Sequence, residues 1–398
     1  MAEPAGNGNA ISAGMSQETF GRKKANKYPD EIALYDRQIR LWGVHAQEKI
    51  RSASILLVTV KALANEVAKN LVLAGIGSLT IIDHEPVTEA DLDAQFFLEE
   101  AHRNEDIIKE GKNRAEVAGP QIHKMNPRVK LHIDTSDIRT KQPNFFAQFD
   151  VTIATELDYE TNNTINAACR LANKPFYAAG LHGFYGYVFA DLITHDFVIE
   201  RSKSNVPSAT QETQTRSIVK VTTKKEGDKT IELVTKRETY SPLLLANTSP
   251  YQKNIPVSPA PQASRKPTFN HADLESFTKL AREVHQELKL DMASLDSAFL
   301  RNFLQNLGCE LSPVAAFLGG SLAQDVINVL SAREQPLQNL LLFDGDKSIG
   351  PIYSLHPFFP PEMGMESLGA VPPVGNPIPM GGNGDTAGHV DVEPTVIE

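Results

Sequence analysis

Apolar residues recur along the chain at two spacings, and the switches between them outline its elements. Residues 1–28 keep neither spacing and read as a disordered tail. Ile32, Tyr35, Ile39 and Trp42 then fall three or four apart, with Arg37 and Arg40 off that stripe, which predicts an amphipathic helix. A second helix is expected at 46–52, leading into the unbroken apolar run 54–60, the pattern of a strand buried on both faces. Helical spacing returns over 63–74 and stops at Gly75, and Ser78–Ile82 reads as another buried strand closed by Asp83. Helices at 112–125 and 161–171 alternate with strands at 129–133, 151–154 and 176–179. This alternation predicts an α/β fold built on a Rossmann-like, doubly wound sheet.

From 183 to 201 the spacing becomes that of antiparallel strands, followed by a polar stretch at 202–214 and alternating runs at 217–223 and 229–235 that read as a hairpin. Pro250, Pro256, Pro259, Pro261 and Pro267 then mark a linker. Helices are expected at 272–288, 295–307 and 318–330, the last entered through Gly319 and Gly320, before a final strand at 340–343. From Pro357 to the end, 15 of 42 residues are Pro or Gly without periodicity, the pattern of a disordered tail. The expected organisation is a Rossmann-like domain at 29–200 and 295–355, an inserted, partly helical half-domain at 201–294, and tails at 1–28 and 356–398.

Composition narrows the function classes. A chain of 398 residues, 41% of them hydrophobic, buries a core without staples. No apolar run approaches the roughly 20 residues of a membrane span, and the first 28 residues lack the pattern of a secretory signal, so a cytosolic or nuclear protein is expected. Two cysteines, Cys169 and Cys309, are too few for a disulfide framework or a zinc site, and both are expected to be buried packing; no catalytic cysteine and no metal site is assigned. The net charge of −10 argues against a nucleic-acid face.

The first strand–helix junction carries the main chemical clue. Nucleotide-binding loops of this layout need glycine at the turn, at the closest approach to phosphate, and where helix meets strand. Here Thr59, Ala62 and Ala64 stand at those positions. Their side chains are expected to crowd a pyrophosphate and to resist positive φ, although Lys61 adds a positive charge. The layout is that of a nucleotide site, and the residues are those of a scaffold. Asp83 reads either as a ribose ligand or, without a working loop, as a strand-end cap. Lys112, Asn113 and Arg114 are either phosphate neutralisers or the polar opening of a surface helix.

The run Tyr35-Asp36-Arg37-Gln38-Ile39-Arg40-Leu41-Trp42-Gly43 resembles the opening signature of the ubiquitin-like-modifier activating enzymes. The stretches 68–75, 183–187 and 343–345 are similar to the same family at corresponding places. With the degenerate loop and the missing cysteine, the resemblance is to the smaller, regulatory subunits of heterodimeric SUMO-activating enzymes, the ThiF-like members of that family. It implies an inactive, pseudo-adenylation domain paired with a catalytic partner subunit. The partner would bind ATP and Mg²⁺, adenylate the C-terminal glycine of SUMO and capture it as a thioester on its own cysteine. No catalytic residue is then expected in this chain. Arg37 matches the signature arginine and is expected to contact the partner's ATP in trans, the competing reading being a surface arginine paired with Asp36 or Glu31. Trp42 and Leu71 to Leu73 are expected near the dimer surface. Nuclear residence, with a cytoplasmic fraction, is implied by the family alone. One departure is the short, proline-rich 248–269, where members of the family have a helical half-domain. Two alternatives remain open: a regulatory subunit for another ubiquitin-like modifier, and a nicotinamide-dependent oxidoreductase, which shares the βαβ unit with a terminal acid.

Overall fold

A computed structural model describes residues 34–98, 106–203, 210–226, 229–247, 271–287, 292 and 295–356. Ile32, Glu31, the 248–269 segment and residues 1–28 and 357–398 of the two tails lie outside these described residues.

Helix α1 (Asp36–Trp42) and helix α2 (Val44–Ser52) precede strand β1 (Ser54–Val58), helix α3 (Ala62–Ala74) and strand β2 (Ser78–Ile82). Helix α4 (Arg114–Met125), β3 (Lys130–Asp134), β4 (Val151–Thr155), α5 (Tyr159–Leu171) and β5 (Phe176–His182) continue the alternation. Strands β3-β2-β1-β4-β5 lie in that order and run parallel. The order reverses between β1 and β4, which opens a crevice at their C-terminal ends. Three more strands extend the sheet antiparallel past β5: β6 (Tyr185–Asp191), and later in the chain β10 (Leu340–Asp344) and β11 (Ile352–Tyr353).

β1 and β4 are buried almost throughout, as central parallel strands covered on both faces must be. One face is covered by α3, α4 and the long helix α8 (Ser312–Ser331), whose Leu318, Leu322 and Val326 join the core of Leu63, Val67 and Leu71. The other face packs Leu56, Val58 and Phe176 against Ile165 and Ala168 of α5.

The expected entry of α8 at the paired glycines is corrected: it begins at Ser312 with Pro313 in its first turn, and Gly319 and Gly320 lie inside it. Gly319 is a close-approach position, since a Cβ there would stand 2.5 Å from Glu66 Cβ and 3.2 Å from Leu63 O of α3. Helix α8 is the one described helix long and apolar enough to cross a membrane, and it lies largely buried in this core.

The strands after β6 leave the main sheet. β7 (Thr194–Ser202), β8 (Arg216–Glu226) and β9 (Lys229–Thr239) form a separate antiparallel sheet in the order β7-β9-β8. Helices α6 (His271–Glu287) and α7 (Ser297–Gln305) pack together through Phe277, Ala281, Leu300 and Leu304. Cys169 is buried, and burial pushes its thiol up to about 12. Cys309, expected inside, is exposed instead, because it falls in the connection between α7 and α8.

Candidate functional site

The crevice between β1 and β4 is where an open α/β sheet of this order takes its ligand. The chain leaves β1 through Thr59, which adopts φ 66° although it is β-branched. The side chain that was expected to resist positive φ does not prevent it here: Thr59 adopts it and carries the strain, of order 1 kcal/mol. Thr155 holds it there, its hydroxyl donating to Val58 O at 3.0 Å and Thr59 O at 2.8 Å. At the end of β4, Glu156 is likewise left-handed, with φ 55°.

The ligand position is filled from within. The N-terminus of α3 has no side-chain cap from Lys61, and Ala62 N–H points instead at Glu310 Oε2, 3.4 Å away. A phosphate would use that same amide and that same end of the helix dipole. Glu156 brings a second carboxyl group into the crevice and accepts from Leu181 N–H at 2.7 Å. Burial, then the charge of Glu310, pushes Glu156 up to about 8, with Lys61 opposing. Burial also raises Glu310, again against the pull of Lys61. A crevice occupied by the side chains of Glu156 and Glu310, with Ala62 and Ala64 where backbone must meet phosphate, does not fit ATP.

Asp83 is equally committed. Its carboxylate accepts from Val60 N–H at 2.8 Å and Glu85 N–H at 3.0 Å, and takes both Nε and Nη2 of Arg114 at 2.9 and 3.1 Å. Both side chains of this pair are nearly inaccessible, at 1% and 6%. Of its two sequence readings, the strand-end cap is the one realised, and no oxygen is left for a ribose. Arg114 is correspondingly a buried structural cation, held also by Asp91, and not part of a surface helix opening. Asn113 caps α4 by accepting from Ala115 and Glu116 N–H. Among the described residues, no cluster of three His, Cys, Asp or Glu side chains is placed to hold a metal ion.

The signature helix lies at the opposite end of α3. Tyr35 is buried, accepts from Asn126 Nδ2 at 2.7 Å and covers Gly75, whose φ of 80° closes α3. Gln38 donates to Leu73 O and Gln47 to Ala74 O, while Trp42 donates to Gln47. Helix α3 has 13 residues, so about 18 Å of helix lies between this anchor and the loop. Arg37 is exposed on α1, and Asp36, one of its two candidate partners, is held by Arg40 at 2.8 Å. Arg37 pairs with no described residue. Of Leu71 to Leu73, expected near the dimer surface, only Leu73 is exposed; Leu71 and Val72 are buried. Leu34, Leu41 and Val44 are exposed as well, a set the stripe analysis did not single out.

Two other family-like stretches meet in space. Gly345 N–H donates to Phe184 O at 2.8 Å, and Tyr185 Oη to Asp346 at 2.6 Å, where β10 joins β6. A Cβ at Gly345 would stand 2.6 Å from Phe184 O, so glycine is required there.

Residues 35–357 match the ThiF family. The chain belongs to the ThiF family. ATP-dependent adenylation is the chemistry of the ThiF family at large, which sharpens the contrast with a loop that does not fit ATP. Relatives include the DNA damage tolerance protein rad31 of Schizosaccharomyces pombe, 37% identical over 82% of this chain and 97% of the relative. The DNA damage tolerance protein RHC31 of Saccharomyces cerevisiae is 36% identical, over 79% and 94%. Human SUMO-activating enzyme subunit 1 is 32% identical, over 82% and 96%. These matches favour no oxidoreductase, in line with the occupied Asp83. Glu310 and Glu156 were missed in sequence, since Glu310 reaches the loop from 248 residues away and no local spacing announces it.

Proposed function

We propose that this chain is the regulatory, non-catalytic subunit of a heterodimeric SUMO-activating enzyme, acting in the first step of protein sumoylation. ATP and Mg²⁺ belong to the catalytic partner subunit, which adenylates the C-terminus of SUMO and passes it to a thioester on its own cysteine. One observation carries this reading: the chain's own anion position is taken by Glu310, while its signature arginine stands exposed at the far end of α3. An arginine so placed has no ligand to serve within its own domain.

In the proposed dimer the Arg37 guanidinium reaches the partner's ATP phosphates, where a rigid, always-charged fork meets the charge that builds during acyl adenylation. Leu34, Leu41, Val44 and Leu73 are exposed apolar residues suited to burial against that partner. Residues 29–200 with 295–355 are the inactive adenylation domain, and 201–294 its insertion. Nuclear residence, with a cytoplasmic fraction, goes with this function.

ATP–pyrophosphate exchange in the presence of SUMO tests the assignment, with this chain alone, a catalytic subunit alone, and the two mixed. Exchange in the mixture only is the expected result. Exchange by this chain alone would overturn the inactive-domain reading, and silence in the mixture would overturn the SUMO assignment.

A further inference from the structure

The connection 306–311 between α7 and α8 delivers one acidic side chain into the crevice. Gly183 N–H donates to Cys309 O at 2.9 Å, which pins the connection to the turn between β5 and β6. Ala315 N–H donates to Leu311 O at 2.9 Å as α8 begins. Glu310 lies between these two fixed points and offers Oε2 to Ala62 N–H. That amide opens α3, a helix of 13 residues with no side-chain cap of its own. Unpaired N–H groups and the helix dipole make such an end attractive to anions.

The polar groups around this end are otherwise idle. Lys61 acts by its charge on both Glu310 and Glu156 and, among the described residues, is bonded to neither. Asn65, one turn into α3, is 0% exposed, and neither its Nδ2 nor its Oδ1 meets a partner among the described residues. Glu310 Oε1 is buried without a partner as well. A helix-terminal amide and a cation are thus kept together, next to buried polar atoms that no packing satisfies, and a side chain of the chain itself stands among them.

We infer, on the reading of this domain as inactive, that Glu310 is the residue that closes the site: its side chain stands where a phosphate would, holds the Ala62 amide and excludes anions. Without it, the N-terminus of α3 takes inorganic phosphate. The exclusion does not depend on the charge of Glu310. Burial raises its carboxyl group against the pull of Lys61, and Oε2 accepts from Ala62 whether or not Oε1 carries a proton. Removing the side chain beyond Cβ leaves roughly the space of one phosphate beside Ala62 N–H and Lys61. Inorganic phosphate is the ligand rather than ATP, because Ala62 and Ala64 still crowd a nucleotide's pyrophosphate.

Isothermal titration calorimetry of the full chain with inorganic phosphate tests this. Glu310 helps to hold Glu156 protonated, so Glu156→Gln is carried in every arm to keep that neighbour neutral. Glu156→Gln with Glu310→Ala is expected to bind phosphate saturably, about tenfold or more tighter than Glu156→Gln alone. Adding Lys61→Ala should remove the gain. Cooperative urea unfolding checks that the alanine variant is folded; if it is not, Glu310→Ser takes its place, since a serine hydroxyl is a natural partner for a helix-terminal amide. Equal phosphate affinity with and without Glu310 overturns the inference. A gain that survives Lys61→Ala also overturns it, by showing that a loosened fold and not this site binds the anion. Pyrophosphate exchange is a separate reading: silence in the mixed enzyme strikes the SUMO assignment alone, and equal phosphate affinity strikes the role of Glu310 alone.

Discussion

The hydroxyl of Tyr35 accepts a 2.7 Å hydrogen bond from Asn126, and its ring lies where any Cβ on Gly75 would stand, 2.5 Å from Cζ. This contact ties the signature helix to the C-terminal end of α3, the end remote from the degenerate loop. The orientation of Arg37 depends on it.

Gly75→Ala is therefore expected to do two things. It places a side chain at φ 80° and displaces Tyr35, lowering stability by about 1–3 kcal/mol in urea denaturation. It also loosens α1, so exchange activity in the mixed enzyme falls more than the loss of folded protein explains.

The Asp83–Arg114 pair gives a second expectation. Asp83→Ala leaves a buried guanidinium with only the 3.4 Å contact to Asp91 and frees Val60 N–H. Breaking a buried pair from one side costs about 3–5 kcal/mol. Chemical denaturation should register that loss, and the chain should show no affinity for reduced nicotinamide cofactor before or after the change. Tight cofactor binding lost on Asp83→Ala, with stability intact, would favour the oxidoreductase instead.

Much of this was legible in sequence, and for definite reasons. The first buried parallel strand shows as the apolar run 54–60, the strand at 151–154 by its place in the alternation, and Gly75 marks its helix end because only a left-handed residue closes it. The missing glycines at Thr59 and Ala62 are local and so were readable. The filling of the crevice was not, because Glu310 and Glu156 reach it from separate connections. Nor was the full length of α8, since a glycine pair reads as a boundary until Gly319 is seen against Glu66 and Leu63 of α3.

Glu156 supplies a pH dependence. Its carboxyl is held protonated to about pH 8 in the fold, by burial and the neighbouring Glu310, whereas the unfolded chain ionises near the ordinary glutamate value of about 4.3. Between those limits the native state binds the extra proton, so this group's contribution to stability falls as pH rises, by at most about 1.4 kcal/mol per pH unit. Glu156→Gln keeps an acceptor for Leu181 N–H and removes the titration. Thermal melts from pH 5 to about 8 should show a flatter profile and a higher Tm at the alkaline end for the variant. An unchanged profile would mean that Glu156 is ionised in the crevice.

Arg37→Ala, assembled with the catalytic subunit and assayed by ATP–pyrophosphate exchange with SUMO, addresses the proposed trans role of Arg37 most directly. Arg37 is exposed and pairs with no described residue, so folding and dimer mass, followed by sedimentation, should be unchanged. Loss of a transition-state donor should then slow exchange by about 100-fold or more. An intact dimer exchanging at the wild-type rate would contradict it, and would leave this chain a scaffold alone.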